Sequence, residues 1–176
     1  MEFRAYAPDC IAAASFEPGD GRLSDTINTQ ASIVVRHAVL TSLEDGHAIE
    51  KALLALTRED LCAVVAAGSR GVAGRRIRTR QQPVAVEVGP YLVHGFLHAP
   101  PTASALGGLS RRPTMVAITD ATITYTRAGQ QVTEMVETLL VNRMLARTLT
   151  AWLPTGPGPD VPPGYSMRLS LAFAAN

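Results

Sequence analysis

IVVRHAVLTSLEDGHAI (Ile33–Ile49) and VAITDATITYTRAGQQV (Val116–Val132) carry one pattern written twice with few identical letters. At an offset of 83, Ile33 and Val35 fall on Val116 and Ile118, Ala38 on Ala121, Leu40 on Ile123, Gly46 on Gly129 and Ile49 on Val132. Upstream, CIAAASF (Cys10–Phe16) lies over YLVHGFL (Tyr91–Leu97) at an offset of 81, and each is followed by a proline turn, EPGDG or HAPPTAS. Downstream, LTREDL (Leu56–Leu61) lies over LVNRML (Leu140–Leu145) at an offset of 84. Ordered features with slowly drifting offsets imply an internal duplication of a domain of about 75 residues. The expected organisation is a first repeat at 1–69, an Arg-rich linker at 70–82, a second repeat at 83–154 and a tethered tail at 155–176.

The repeated passages read as strands. TMVAITDATITY alternates, with Val116, Ile118, Asp120 and Thr122 on one face and Met115, Ala117, Thr119 and Ala121 on the other. PVAVEVGPYLVHGFLH reads as a hairpin turning at Gly89–Pro90, and Glu44–Gly46 and Arg127–Gln130 read as two more turns. Residues 47–67 and 131–152 are ambiguous, since Ala, Leu, Glu and Met favour helix. Polar breaks at TRED and VNR divide each stretch into two apolar runs, which favours strand, turn and closing strand; helix stays open as the alternative.

Composition bounds the function. Hydrophobic residues make up 47% and aromatics only 5%, so Ala, Val and Leu must fill the core. A formal net charge of +1 argues against a whole-surface electrostatic role on nucleic acid or membrane. The N-terminus lacks a secretory pattern and no apolar run is long enough to span a bilayer, so a cytoplasmic location is expected, with no membrane partner. Cys10 and Cys62 are expected to be buried, reduced thiols.

The order of features resembles a group of uncharacterised bacterial domains with an Sm-like or related small β-barrel fold. GRLSDTIN (Gly21–Asn28), ITDA (Ile118–Ala121) and LLVNR (Leu139–Arg143) carry the likeness, which covers most of each copy. VRHA (Val35–Ala38) replaces the Thr-Asp-Ala element in the first copy, and ALGGLSRR replaces the Leu-Ser-Asp segment in the second. The resemblance implies an all-β chain of two tandem small barrels with a C-terminal tail strand. It says little of function, because one fold hosts many activities.

Candidate chemistry is sparse. His94 and His98, four apart on a strand, would lie about 13 Å from each other, too far to share a metal. Asp120 and its counterpart His37 lack a nucleophile motif, and Asp120 is expected at a strand end, bonding turn amides. No glycine run has the phosphate-cradling spacing, and no cofactor is expected. Arg70, Arg75, Arg76, Arg78 and Arg80, with Arg111 and Arg112 further on, form the one basic feature and offer a nucleic-acid contact. No aromatic residue interleaves the arginines of either run, against single-strand recognition. The tail alternates Met167, Leu169, Leu171 and Phe173 on one face, as a strand that could pair with an exposed edge. A non-enzymatic assembly or adaptor protein, self-associating or docking on a protein partner, is the leading expectation. An Sm-like RNA or DNA binder is the alternative.

Overall fold

In the computed structural model, residues 1–17, 21–66 and 79–152 and the backbone of Leu171–Ala172 are described. The fold is all-β, with 62% of the described residues in strands and one short helix among them. The first half holds β1 (Glu2–Tyr6), β2 (Cys10–Ser15), α1 (Leu23–Thr29), β3 (Ser32–Ser42), β4 (Ala48–Thr57) and β5 (Ala63–Val65). The second holds β6 (Arg80–Val88), β7 (Tyr91–Ala99), β8 (Met115–Arg127), β9 (Gln130–Asn142) and β10 (Ala146–Ala151), with β11 (Leu171–Ala172) beyond. Both ambiguous stretches are strands. β9 is buried only toward its C-terminal end, where β5 lies beside it, and the polar breaks are the turns Arg58–Asp60 and Arg143–Leu145.

The strands form a single open antiparallel sheet in the order β11-β10-β6-β7-β8-β9-β5-β1-β2-β3-β4. Two separate barrels were expected from the sequence, but the ladder runs unbroken from one half into the other. β5 of the first half pairs with β9 of the second, Ala63 facing Val141 and Val65 facing Leu139. Nor are the cores segregated by half: Tyr6, Ile11, Cys62 and Ala63 join the second-half cluster, and Met115 and Leu140 join the first-half one. Arg80–Gln82, assigned to the linker by sequence, belong to β6 and face Ala99, His98 and Leu97.

Each half nevertheless orders its five strands alike, β5-β1-β2-β3-β4 in one and β10-β6-β7-β8-β9 in the other. Each also carries the same irregularity. Ala13 faces Val39 and Ser15 faces Arg36, so His37 and Ala38 together oppose Ala14. His94 faces Thr122 and Phe96 faces Thr119, so Asp120 and Ala121 together oppose Gly95. These are β-bulges, and their extra residues His37 (φ 50°) and Asp120 (φ 47°) are left-handed. Asp120 therefore sits mid-strand rather than at a strand end. The bulge also switches the buried face: Val116 and Ile118 point to the core before it, and Ala121, Ile123 and Tyr125 after it, leaving Asp120 exposed. Strict alternation across Asp120, read from the sequence, breaks at this residue.

A non-glycine residue in the left-handed region is strained by about 1–2 kcal/mol, less for Asp than for His. His37→Gly is accordingly expected to raise the unfolding free energy by roughly 0.5–1 kcal/mol and Asp120→Gly by less. Urea denaturation checks both, and a loss of stability in either would refute the strain assignment.

Candidate functional site

The densest constellation of polar and aromatic groups lies where the halves meet. Tyr6 on β1, Tyr91 on β7 and Tyr125 on β8 form a triangle of edge-on rings with centroids 5.4, 5.6 and 6.0 Å apart. Edge-to-face packing of this kind brings ring hydrogens to the neighbouring π-face. The Tyr6 and Tyr125 hydroxyls donate to the Glu134 carboxylate on β9, which also pairs with Arg4 of β1. The Tyr91 hydroxyl donates across the seam to the Ala7 carbonyl at 2.6 Å. Three of the four tyrosines in the chain are thus spent here.

Two asparagines clamp the same seam. Asn142, 1% exposed at the end of β9, donates to the carbonyls of Arg58 (3.1 Å) and Leu61 (3.0 Å) and accepts from the Met144 amide (3.0 Å). Asn28 on α1 donates to the Met115 carbonyl (3.0 Å) and accepts from the Met115 amide (2.8 Å). The hairpin tips also meet, the Ala128 amide donating to the Leu43 carbonyl at 2.8 Å. Asn28 and Asn142 both lie in the short segments that carry the family resemblance, and here both join one half to the other.

The chemistry of this cluster is that of a structural joint. Burial pushes the Tyr6 phenol up to about 12 and raises Tyr91 and Tyr125 as well. All three stay protonated donors at neutral pH, and the Glu134 oxygens are taken by Arg4, Tyr6 and Tyr125. A phenol whose pKa is raised by folding contributes stability below its unfolded value, about 10, and loses it as pH rises through the folded value. Stability should therefore fall between pH 10 and 12, by roughly 3 kcal/mol for Tyr6 alone. A spectrophotometric titration should show Tyr6, Tyr91 and Tyr125 ionising only with unfolding. Ionisation of these three in the ordinary range in a folded chain would refute the burial of their hydroxyls.

The residues singled out from sequence fall elsewhere. Arg80 is exposed at the start of β6, and Arg111 is exposed in the turn Leu109–Arg111. Arg112 is half-buried, with its guanidinium on the His98 carbonyl and its pKa lowered by desolvation. Arg70, Arg75, Arg76 and Arg78 lie outside the described residues, as do Met167, Leu169, Phe173 and the side chain of Leu171. The backbone of Leu171 pairs with Leu149, and that of Ala172 with Thr148. His94 packs on the Trp152 ring at 4.6 Å, and burial lowers its pKa. His98 hydrogen-bonds Thr79 and Thr119 through its two ring nitrogens. Cys62 is buried and Cys10 half-buried; both are free thiols, pushed up to about 11 chiefly by burial. Among the described residues no three His, Cys, Asp or Glu side chains gather to hold a metal. No helix among them is long and apolar enough to cross a membrane.

The open surfaces are the two ends of the sheet. β4 is an edge strand of ten residues, AIEKALLALT, with Ile49 49% and Leu53 62% exposed. The Arg58 amide donates to the Ala31 carbonyl, which sets the parity of the β3–β4 ladder. Leu54 and Leu56 turn their backbone groups to β3, while Leu53, Ala55 and Thr57 turn theirs outward. From Ala52 to Thr57 this edge carries no charge, bulge or proline, the devices by which exposed edges are blunted. Val34, 58% exposed on neighbouring β3 opposite Ala55, extends the apolar surface.

Compared with protein-family models, curated proteins and solved structures, the chain matches none. The Sm-like likeness gains no support from these comparisons.

Proposed function

We propose that this chain is a non-enzymatic assembly or adaptor protein, built from two copies of one small five-stranded β unit, that self-associates or docks on a protein partner through its strand edges. The observation that carries the reading is β4, an edge strand of ten residues that is uncharged from Ala52 to Thr57, exposes Ile49 and Leu53, and has outward backbone groups paired by no other described strand. A sheet end of this kind is a template for another strand. The duplication is supported by the shared strand order and by the left-handed bulge residues His37 and Asp120, which the sequence places 83 apart. The nucleic-acid alternative is weakened where it can be inspected, because Arg112 is engaged by the His98 carbonyl.

The test is the mass of the full chain in solution by light scattering, from dilute to the highest soluble concentration and at low and high salt, with absorbance at 260 nm followed. Mass rising with concentration and insensitive to salt is the expected result. A monomer at every concentration that carries nucleic acid at low salt and sheds it at high salt would overturn the reading.

A further inference from the structure

We infer that the partner of the β4 edge is β10 of a second copy of this chain, and that the tail strand β11 occupies the same place on β10 and competes with it. The inference rests on the reading of β4 as a docking edge and adds to it the occupant, the register and the competitor.

The template is the seam inside the chain. There the fourth strand of one half, β9, pairs with the fifth strand of the other, β5, with Val64 opposite Leu140. The flanking bonds, Ala66 amide to Thr138 carbonyl and Asn142 amide to Cys62 carbonyl, place Val64 and Leu140 in a hydrogen-bonded pair. The corresponding outer strands are β4, the fourth of its half, which ends the sheet, and β10, the fifth of its own, which carries only the two-residue β11 beyond it.

The ladders fix which residues correspond. Ile33 faces Leu56 where Val116 faces Val141, so Ala55 corresponds to Leu140. Ala5 faces Val64 where Val86 faces Leu149, so Leu149 corresponds to Val64. The outward parity agrees on both strands. Ala55 turns its backbone away from β3, and the Trp152 amide bond to the Pro83 carbonyl leaves Leu149 turned away from β6. Repeating the seam between two chains therefore sets Ala55 of one chain against Leu149 of the next.

That position on β10 is where the tail sits, because Leu149 pairs with Leu171 and Thr148 with Ala172. A tail strand of two residues is a short occupant, whereas β4 offers ten. The contact is head-to-tail, so it leaves a free β4 and a free β10 at the ends of any open oligomer and continues until the ring closes.

The experiment uses the full chain with single substitutions. Leu171→Pro removes the tail amide that faces Leu149, and is expected to lower the concentration of half-assembly by about tenfold. Ala55→Pro removes an outward amide of β4 while leaving the β3–β4 ladder intact, as proline on an edge strand does. In the Leu171→Pro background it should restore the monomer with an unchanged circular dichroism spectrum. Leu53→Lys, at a position 62% exposed, is the second edge variant and should act alike should the proline disturb folding. Weaker assembly on Leu171→Pro would overturn the competition and make the tail the glue, leaving the assembly reading in place. Assembly unchanged by both edge variants would overturn the use of β4 altogether, and with it that reading's principal support.

Discussion

Asn142→Ala should lower the unfolding free energy by roughly 3 kcal/mol or more, the largest effect of any single polar substitution at the seam. The side chain is 1% exposed and serves three backbone groups: the carbonyls of Arg58 and Leu61 and the amide of Met144. Alanine removes that partner from all three. The Arg58 carbonyl keeps the Leu61 amide, while the buried Leu61 carbonyl and the part-buried Met144 amide lose theirs, at about 1–3 kcal/mol for each group left unsatisfied. Asn142→Asp is expected to be worse than alanine, because a carboxylate would face two carbonyl oxygens with no proton to offer. Asn28→Ala, at a half-buried clamp, should cost about 1–2 kcal/mol. Urea denaturation of the three variants checks the order Asp below Ala at position 142, and Asn28→Ala above both. An Asn142→Ala chain within 1 kcal/mol of the parent would show that water replaces the amide.

Gly95→Ala is expected to destabilise by roughly 3 kcal/mol, and larger side chains to prevent folding. A Cβ on Gly95 would lie 2.6 Å from Cγ2 of Ile118, 2.8 Å from the Thr119 carbonyl oxygen and 3.2 Å from Cα of Ala121. Two of the three are backbone atoms of the bulge, so no rotamer change relieves them. The first half tolerates Ala14 opposite its own bulge, which makes the close approach a property of the second half alone. Gly129→Ala is the control: its φ of 75° is strained for alanine, but nothing lies within 4 Å of the added carbon. It should cost about 1 kcal/mol. Equal losses at the two glycines would mean that backbone freedom, not space, governs Gly95.

Much of this architecture was legible in the sequence. Gly46, Gly89 and Gly129 mark hairpin turns by their left-handed conformation, and the polar breaks TRED and VNR mark the turns before the closing strands. The alternation failed at Asp120, because a bulge adds a residue without any glycine or proline to announce it. The ladder matches Leu56 with Val141, whereas alignment of letters set Leu56 over Leu140; two leucines attracted each other across an uneven turn. The joining of two halves into one sheet was not legible, since strand partners across a seam leave no periodic trace. Tyr6, Tyr91, Tyr125, Glu134 and Asn142 were missed for the same reason. The only signal was economy: in a chain with 5% aromatics, three tyrosines fall in strands that meet.

The seam between β5 and β9 is a contact that two separate molecules could make, yet here both partners are on one polypeptide. Covalent connection between Ala66 and Thr79 gives the partners an effective concentration on the order of millimolar, so even a modest contact stays closed. The outer ends have no such tether. They also lack the clamps, with Thr57 where β9 has Asn142 and Ile49 where β9 has Glu134. If the proposed β4–β10 contact forms, one sheet holds two junctions of like register: the inner kept closed at any dilution by its tether, the outer governed by how much of the protein the cell makes.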